Sequence, residues 1–105
     1  MIGSDPVLER FRTAVAEHFG ERLERIVLYG SRARGEARPD SGYDIAIFVH
    51  DLGNRWREFK AIAPVTLDLL EEHDATVHAM LYPAGQWRHP SSPLMQEIRK
   101  DGLDL

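Results

Sequence analysis

Residues 30–49 read GSRARGEARPDSGYDIAIFV, and this stretch decides the fold. The apolar run Ile26-Val27-Leu28-Tyr29 ends in a Gly-Ser turn, a polar loop follows, and Asp44 stands near the start of a second apolar run, Tyr43 to Val49. A strand that ends in Gly-Ser and turns into a helix points unpaired backbone N–H groups at one spot, and the positive helix end adds attraction for phosphate. Gly30 lets the backbone approach a ligand with no Cβ in the way. Ser31 can donate its hydroxyl to a phosphate oxygen, and Arg32 or Arg34 can neutralise charge on it. Arg32, Arg34 and Arg38 fall within seven residues, a cluster that suits a compact triphosphate better than a long duplex. A solvated arginine-rich loop is the plainer reading of the same three side chains.

Asp44 carries the discrimination, because it precedes Ile45-Ala46-Ile47-Phe48-Val49, a run that belongs in a sheet. A carboxylate there is costly to desolvate without a cation or hydrogen-bond partners, and a metal ion is the economical explanation. Side chains alternate along a strand, so positions 42 and 44 face the same way. A paired-carboxylate site would need an acid at position 42, which holds Gly42.

Outward from this centre, Ser4-Asp5-Pro6 offers an N-cap and a proline start for a helix whose apolar positions, Val7 to Phe19, recur at helical spacing until Gly20. Gly53 to Glu72 reads as a second helix, with Trp56, Phe59, Ala63, Leu67 and Leu70 near one stripe, Ile62, Val65 and Leu69 broadening it, and Pro64 kinking or splitting it. Ala75 to Tyr82 reads as a third strand with Thr76, His78 and Met80 on one face. Ser92-Pro93 opens a last short helix that runs to Gly102. Met80 and Met95 are core candidates, and His18 sits at the core edge. This alternation predicts one α/β domain over residues 1–105, a small mixed β-sheet flanked by helices.

The bulk numbers bound the function. The chain has 105 residues, 43% of them hydrophobic and 29% charged, as expected of a globular domain. It has no cysteine, which removes disulfides and thiolate metal sites, and no apolar run long enough for a membrane span. A cytoplasmic location is the expectation. The net charge of −4 disfavours a general nucleic-acid surface.

Gly30-Ser31-Arg32-Ala33-Arg34-Gly35 and Ser41-Gly42-Tyr43-Asp44-Ile45 resemble the signature of the minimal nucleotidyltransferases, the MNT branch of the DNA polymerase β-like superfamily. The family pattern is Gly-Ser, a short loop, Asp-x-Asp on a strand, and a third carboxylate on a later strand. The resemblance implies a polymerase β-like fold and transfer of a nucleoside monophosphate from an NTP, in the first instance ATP, to a hydroxyl. It also implies two Mg²⁺ ions held by three carboxylates. Asp44 matches as catalytic and metal-binding residue, and Gly30, Ser31, Arg32 and Arg34 as nucleotide-binding residues. The third carboxylate position falls at or near His78, which suits Mn²⁺ or Zn²⁺ better than Mg²⁺ and is otherwise an ordinary strand residue near the cleft. Asp40 or Asp74 could compensate only if the backbone bends. The partner implied is a HEPN-domain toxin, to which such a protein is the antitoxin, and the alternative is a catalytically degenerate module that binds nucleotide or docks on that partner.

Overall fold

The computed structural model describes residues 5–105. Helix α1 (Pro6–Phe19) begins where the Asp5 carboxylate accepts from the N–H groups of Val7 and Leu8, so Asp5 is the cap; Ser4 lies outside the described residues. A single 3₁₀ turn, Gly20–Arg22, leads into β1 (Leu23–Tyr29), which starts earlier than the apolar run alone suggests. Strand β2 (Tyr43–Val49) returns antiparallel to β1. Helix α2 (Arg55–His73) then crosses to β3 (Val77–Pro83), which lies parallel to β2. A short α3 (Gly85–Arg88), α4 (Pro93–Asp101) and a two-residue β4 (Leu103–Asp104) complete the chain. The sheet order β3-β2-β1-β4 is mixed, with helices on both faces, as the sequence led us to expect.

Strand alternation sorts the core into two layers. Ile45, Ile47, Leu28 and Leu81 face α1 and α2, where Phe11, Val15, Ile62 and Leu69 complete the larger cluster. Val27, Ala46 and Phe48 face the other way and meet Met95 and Ile98 of α4. Asp44 shares the parity of Ala46 and Phe48, so it belongs to the α4 side of the sheet. Met95 is a core residue, whereas Met80, on edge strand β3, is 46% exposed and is not.

Helix α2 departs from its expected orientation. The buried residues are Ile62 and Leu69, with Phe59 and Val65 packed beside them, while Trp56, Leu67 and Leu70 point outward. Pro64 does not split the helix.

Near the start of α2, Glu58 accepts from Arg22 at 2.8 and 2.7 Å and from the Gly53 N–H. The Arg22 hydrogen bonds are the main cause that holds the Glu58 carboxyl below its ordinary value of 4.5. A depressed folded pKa adds stability that is fully present above the unfolded value and is lost as the pH falls through the folded one. The melting temperature should therefore drop on acidification below about 4.5, and Glu58→Gln should flatten that limb in a pH series of thermal melts. An unchanged acid limb would mean that Glu58 contributes nothing to it.

Candidate nucleotide site

Strand β1 delivers Gly30 at φ +75°, a left-handed conformation that glycine adopts without strain. A Cβ at this position would come within 2.5 Å of Asp44 Oδ2. The glycine therefore does more than ease a turn: its backbone is seated directly on the carboxylate. Beyond it, Ala33 and Arg34 donate to the Gly30 carbonyl at 3.1 and 3.2 Å, and Glu36 donates to the Ser31 carbonyl at 2.9 Å. The segment is a succession of turns rather than a helix. No extended helix dipole backs the site, and the attraction for an anion rests on the local N–H groups. Those of Ser31 and Arg32 have no acceptor among the described residues.

The two arginines assigned to phosphate differ in their freedom. Arg32 donates twice to the Ser41 carbonyl, at 3.2 and 2.7 Å, and its guanidinium lies 3.9 Å over the Tyr43 ring. It braces the loop between the Gly-Ser turn and β2. Arg34 is exposed, with Nε on Glu36 at 2.7 Å and Nη1 3.7 Å from Glu97 of α4. Its charge can be redirected to a ligand by a side-chain rotation.

The register of the sheet brings Tyr29, Asp44 and His78 side by side. Tyr29 is the β1 neighbour of Asp44, and His78 its β3 neighbour. His78 Nδ1 lies 3.4 Å from Asp44 Oδ1, with the imidazole 64% and the carboxylate 36% exposed. Tyr29 was not singled out from sequence, although it directly precedes Gly30. Burial first, then the neighbouring Tyr82 phenol and the carboxylates of Asp44 and Glu97, push its phenol up to about 12. It therefore stays a neutral hydroxyl beside Asp44 throughout the neutral range.

Gly42 lies just outside β2, and a Cβ there would meet the His78 ring at 3.3 Å and the Thr76 carbonyl at 3.3 Å. Its φ is not among the positive ones, so a side chain is compatible with the backbone. Asp74 is the left-handed cap of α2 and lines a separate cleft of about 510 Å³ with Asp5, Arg32 and Tyr43. Among the described residues no group of three or more His, Cys, Asp or Glu side chains is placed to hold a metal ion. One carboxylate and one imidazole do not fit a pair of Mg²⁺ ions, which require several oxygen ligands in near-octahedral array.

Residues 8–95 match the nucleotidyltransferase domain family, and the chain belongs to it. No curated protein is significantly similar to the chain. Similar solved structures include a toxin–antitoxin with AMP-PNP, at 24% identity and a TM-score of 0.59, covering 91% of this chain and 70% of that one. A Sulfolobus solfataricus protein assigned as a nucleotidyltransferase is similar at 19% identity and a TM-score of 0.65, covering 93% and 75%. A complex of a tri-AMPylated Shewanella oneidensis HEPN toxin with its MNT antitoxin is similar at 20% identity and a TM-score of 0.51, covering 93% and 70%. At these identities the likeness establishes the fold. The resemblance read from Gly30–Gly35 and Ser41–Ile45 thus holds at the level of family and fold. No helix among the described residues is long and apolar enough to cross a membrane.

Proposed function

We propose that this nucleotidyltransferase-family chain binds a nucleoside triphosphate, ATP in the first instance, on the Gly30–Gly35 turn and acts as an antitoxin-type module on a HEPN-domain partner, with nucleotidyl transfer weakened or lost. One observation carries this reading. The Gly30 backbone is seated on Asp44 as a phosphate-side turn requires, while Gly42 and His78 lie beside Asp44 where the family pattern implies carboxylates. In this reading the Ser31 and Arg32 N–H groups and the Ser31 hydroxyl receive phosphate oxygens. Arg34 turns from Glu36 to the ligand, and Arg32 holds the loop in shape. The AMP-PNP in one similar structure and the HEPN toxin in another support the choice of ligand and partner.

A second reading, transfer of a nucleoside monophosphate to a partner hydroxyl, is favoured by the state of Asp44. It is 36% exposed, and no arginine or lysine pairs with it among the described residues. The two readings separate in one experiment, in which the protein, ATP, Mg²⁺ or Mn²⁺ and a co-encoded HEPN protein are incubated and the partner's mass is measured. An unmodified partner in a stable complex supports docking, and a partner carrying added nucleoside monophosphate supports transfer.

Nucleotide binding itself has a direct readout. ATP at about ten times its dissociation constant should add about 1.4 kcal/mol to stability. At about 4–8 °C per kcal/mol for a domain of this size, the melting temperature should rise by roughly 6–11 °C. Arg34→Ala should shrink that rise. An ATP-independent melting curve with either divalent ion present would overturn the phosphate-site reading and leave docking alone.

A further inference from the structure

The outward face of α2 is a second apolar stripe that the fold does not use. Trp56, Lys60, Ala63, Leu67 and Leu70 recur at alternating spacings of four and three, which places them on one line along the helix. Trp56 is 65%, Leu67 60% and Leu70 46% exposed. The fold instead buries Ile62 and Leu69 and leaves this line in solvent. Lys60 lies against the Trp56 ring, its ammonium 5.5 Å from the centroid, so its stem extends the apolar surface.

The charge beside this stripe is polarised. Arg57 and Lys60 stand toward the N-terminal end and Glu71 and Asp74 toward the C-terminal end. Arg57 and Glu71 have no ion-pair partner among the described residues, in contrast to Asp68 and Glu72, which hold Arg10 of α1.

We propose that this face pairs with the same face of a second copy of the chain, the two α2 helices running antiparallel about a two-fold axis near Ala63. The charges are complementary in that orientation, whereas a parallel pairing sets Lys60 against Lys60 and keeps Arg57 and Glu71 on opposite sides of the seam. Trp56 of each copy meets Leu70 of the other, Lys60 meets Leu67, and the small Ala63 lies at the crossing, where a short side chain permits close approach of the helices. Arg57 and Glu71 flank the stripe on the same side, so the antiparallel two-fold brings Arg57 of each copy against Glu71 of the other. A two-fold dimer makes each such contact twice. Because α2 covers the sheet face opposite Asp44, the pairing leaves the nucleotide side of both copies open.

Sedimentation velocity on the full chain, without nucleotide, tests the pairing over a range of micromolar concentrations. A concentration-dependent shift from monomer to dimer is expected, and Leu67→Glu should weaken it by about tenfold or more. Arg57→Glu and Glu71→Arg should each weaken the dimer as well, because each places like charges together twice. An equimolar mixture of those two variants should regain it, since every charged contact is then opposite in sign. All three positions lie on the solvent side of α2, and circular dichroism melts verify that the variants remain folded. A chain that stays monomeric at every concentration, a dimer indifferent to Leu67→Glu, or a mixture that fails to recover would each overturn the proposal. So would a one-to-one complex with a HEPN protein that is lost on Leu67→Glu while the free chain remains monomeric.

Discussion

Gly30→Ala is expected to abolish the ATP-dependent rise in melting temperature. The substitution imposes two separate penalties: an L side chain at φ +75°, and a Cβ 2.5 Å from Asp44 Oδ2. The first costs about 1–2 kcal/mol of stability. The second forces the carboxylate or the turn to move, and with it the N–H groups of Ser31 and Arg32. Gly35→Ala separates the two effects, because Gly35 has φ +73° and nothing within 4 Å of a Cβ. Both variants should lose the stability that the positive φ costs, Gly30→Ala should lose more because of the clash, and only Gly30→Ala should lose ATP binding in a titration calorimeter. Equal ATP affinity in the two variants would remove the close approach of Gly30 to Asp44 from the binding argument.

Supplying the carboxylates that the family pattern implies should have the opposite effect on metal. Gly42→Asp combined with His78→Asp places oxygen ligands near Asp44, one just before the start of β2 and one across from it on β3. The backbone at Gly42 accepts a side chain, but the 3.3 Å approach to the His78 ring means that the single substitution is crowded. The pair removes the contact with the ring, while the Thr76 carbonyl at 3.3 Å remains and has to give by a few tenths of an ångström. Mg²⁺ affinity should rise by at least about tenfold over the present sequence, because oxygen donors replace a hydrogen atom and an imidazole. Without metal the variant should be less stable, since three like charges then converge. Mg²⁺ should accordingly raise the melting temperature of the variant far more than that of the parent. A folded double variant that binds ATP and gains no Mg²⁺ affinity would show that carboxylate loss is not what separates this site from a metal-dependent one.

The parts of this fold that were legible in the sequence are those in which a single physical requirement dictates the residue. Gly30 and Asp44 belong to this class, because a chain reversal against a strand carboxylate tolerates no side chain. Proline starts and glycine ends likewise marked α1 and α4. The orientation of α2 was hidden because apolar residues lie on both its faces, and helical periodicity cannot say which face turns inward. Strand β1 was read too short because Glu24 and Arg25 look like loop residues. In the structure Arg25 lies 4.3 Å over the Trp87 ring and pairs with Asp104, partners remote in sequence. Met80 was read as core because alternation gives a face, whereas its exposure follows from the edge position of β3. Within the site, the capture of Arg32 by Ser41 and Tyr43 depends on the loop folding back on itself, and no local pattern signals that.

The two-residue strand β4 should also govern how the protein fails on heating. It covers the outer edge of β1 through the pairs Val27 with Asp104 and Leu28 with Leu103, with Leu105 donating to the Ile26 carbonyl. Its ion pair, Arg25 with Asp104, joins side chains that are 33% and 60% exposed, and such pairs contribute about 0–1 kcal/mol. A strand of two residues with so weak an ion pair should open before the core does. Each opening bares the backbone edge of a strand whose centre, Ile26 to Leu28, is apolar, a template for intermolecular strand addition. Thermal aggregation should therefore begin from a nearly native molecule with β4 detached, and charge added near Leu103 would slow it without changing the nucleotide site.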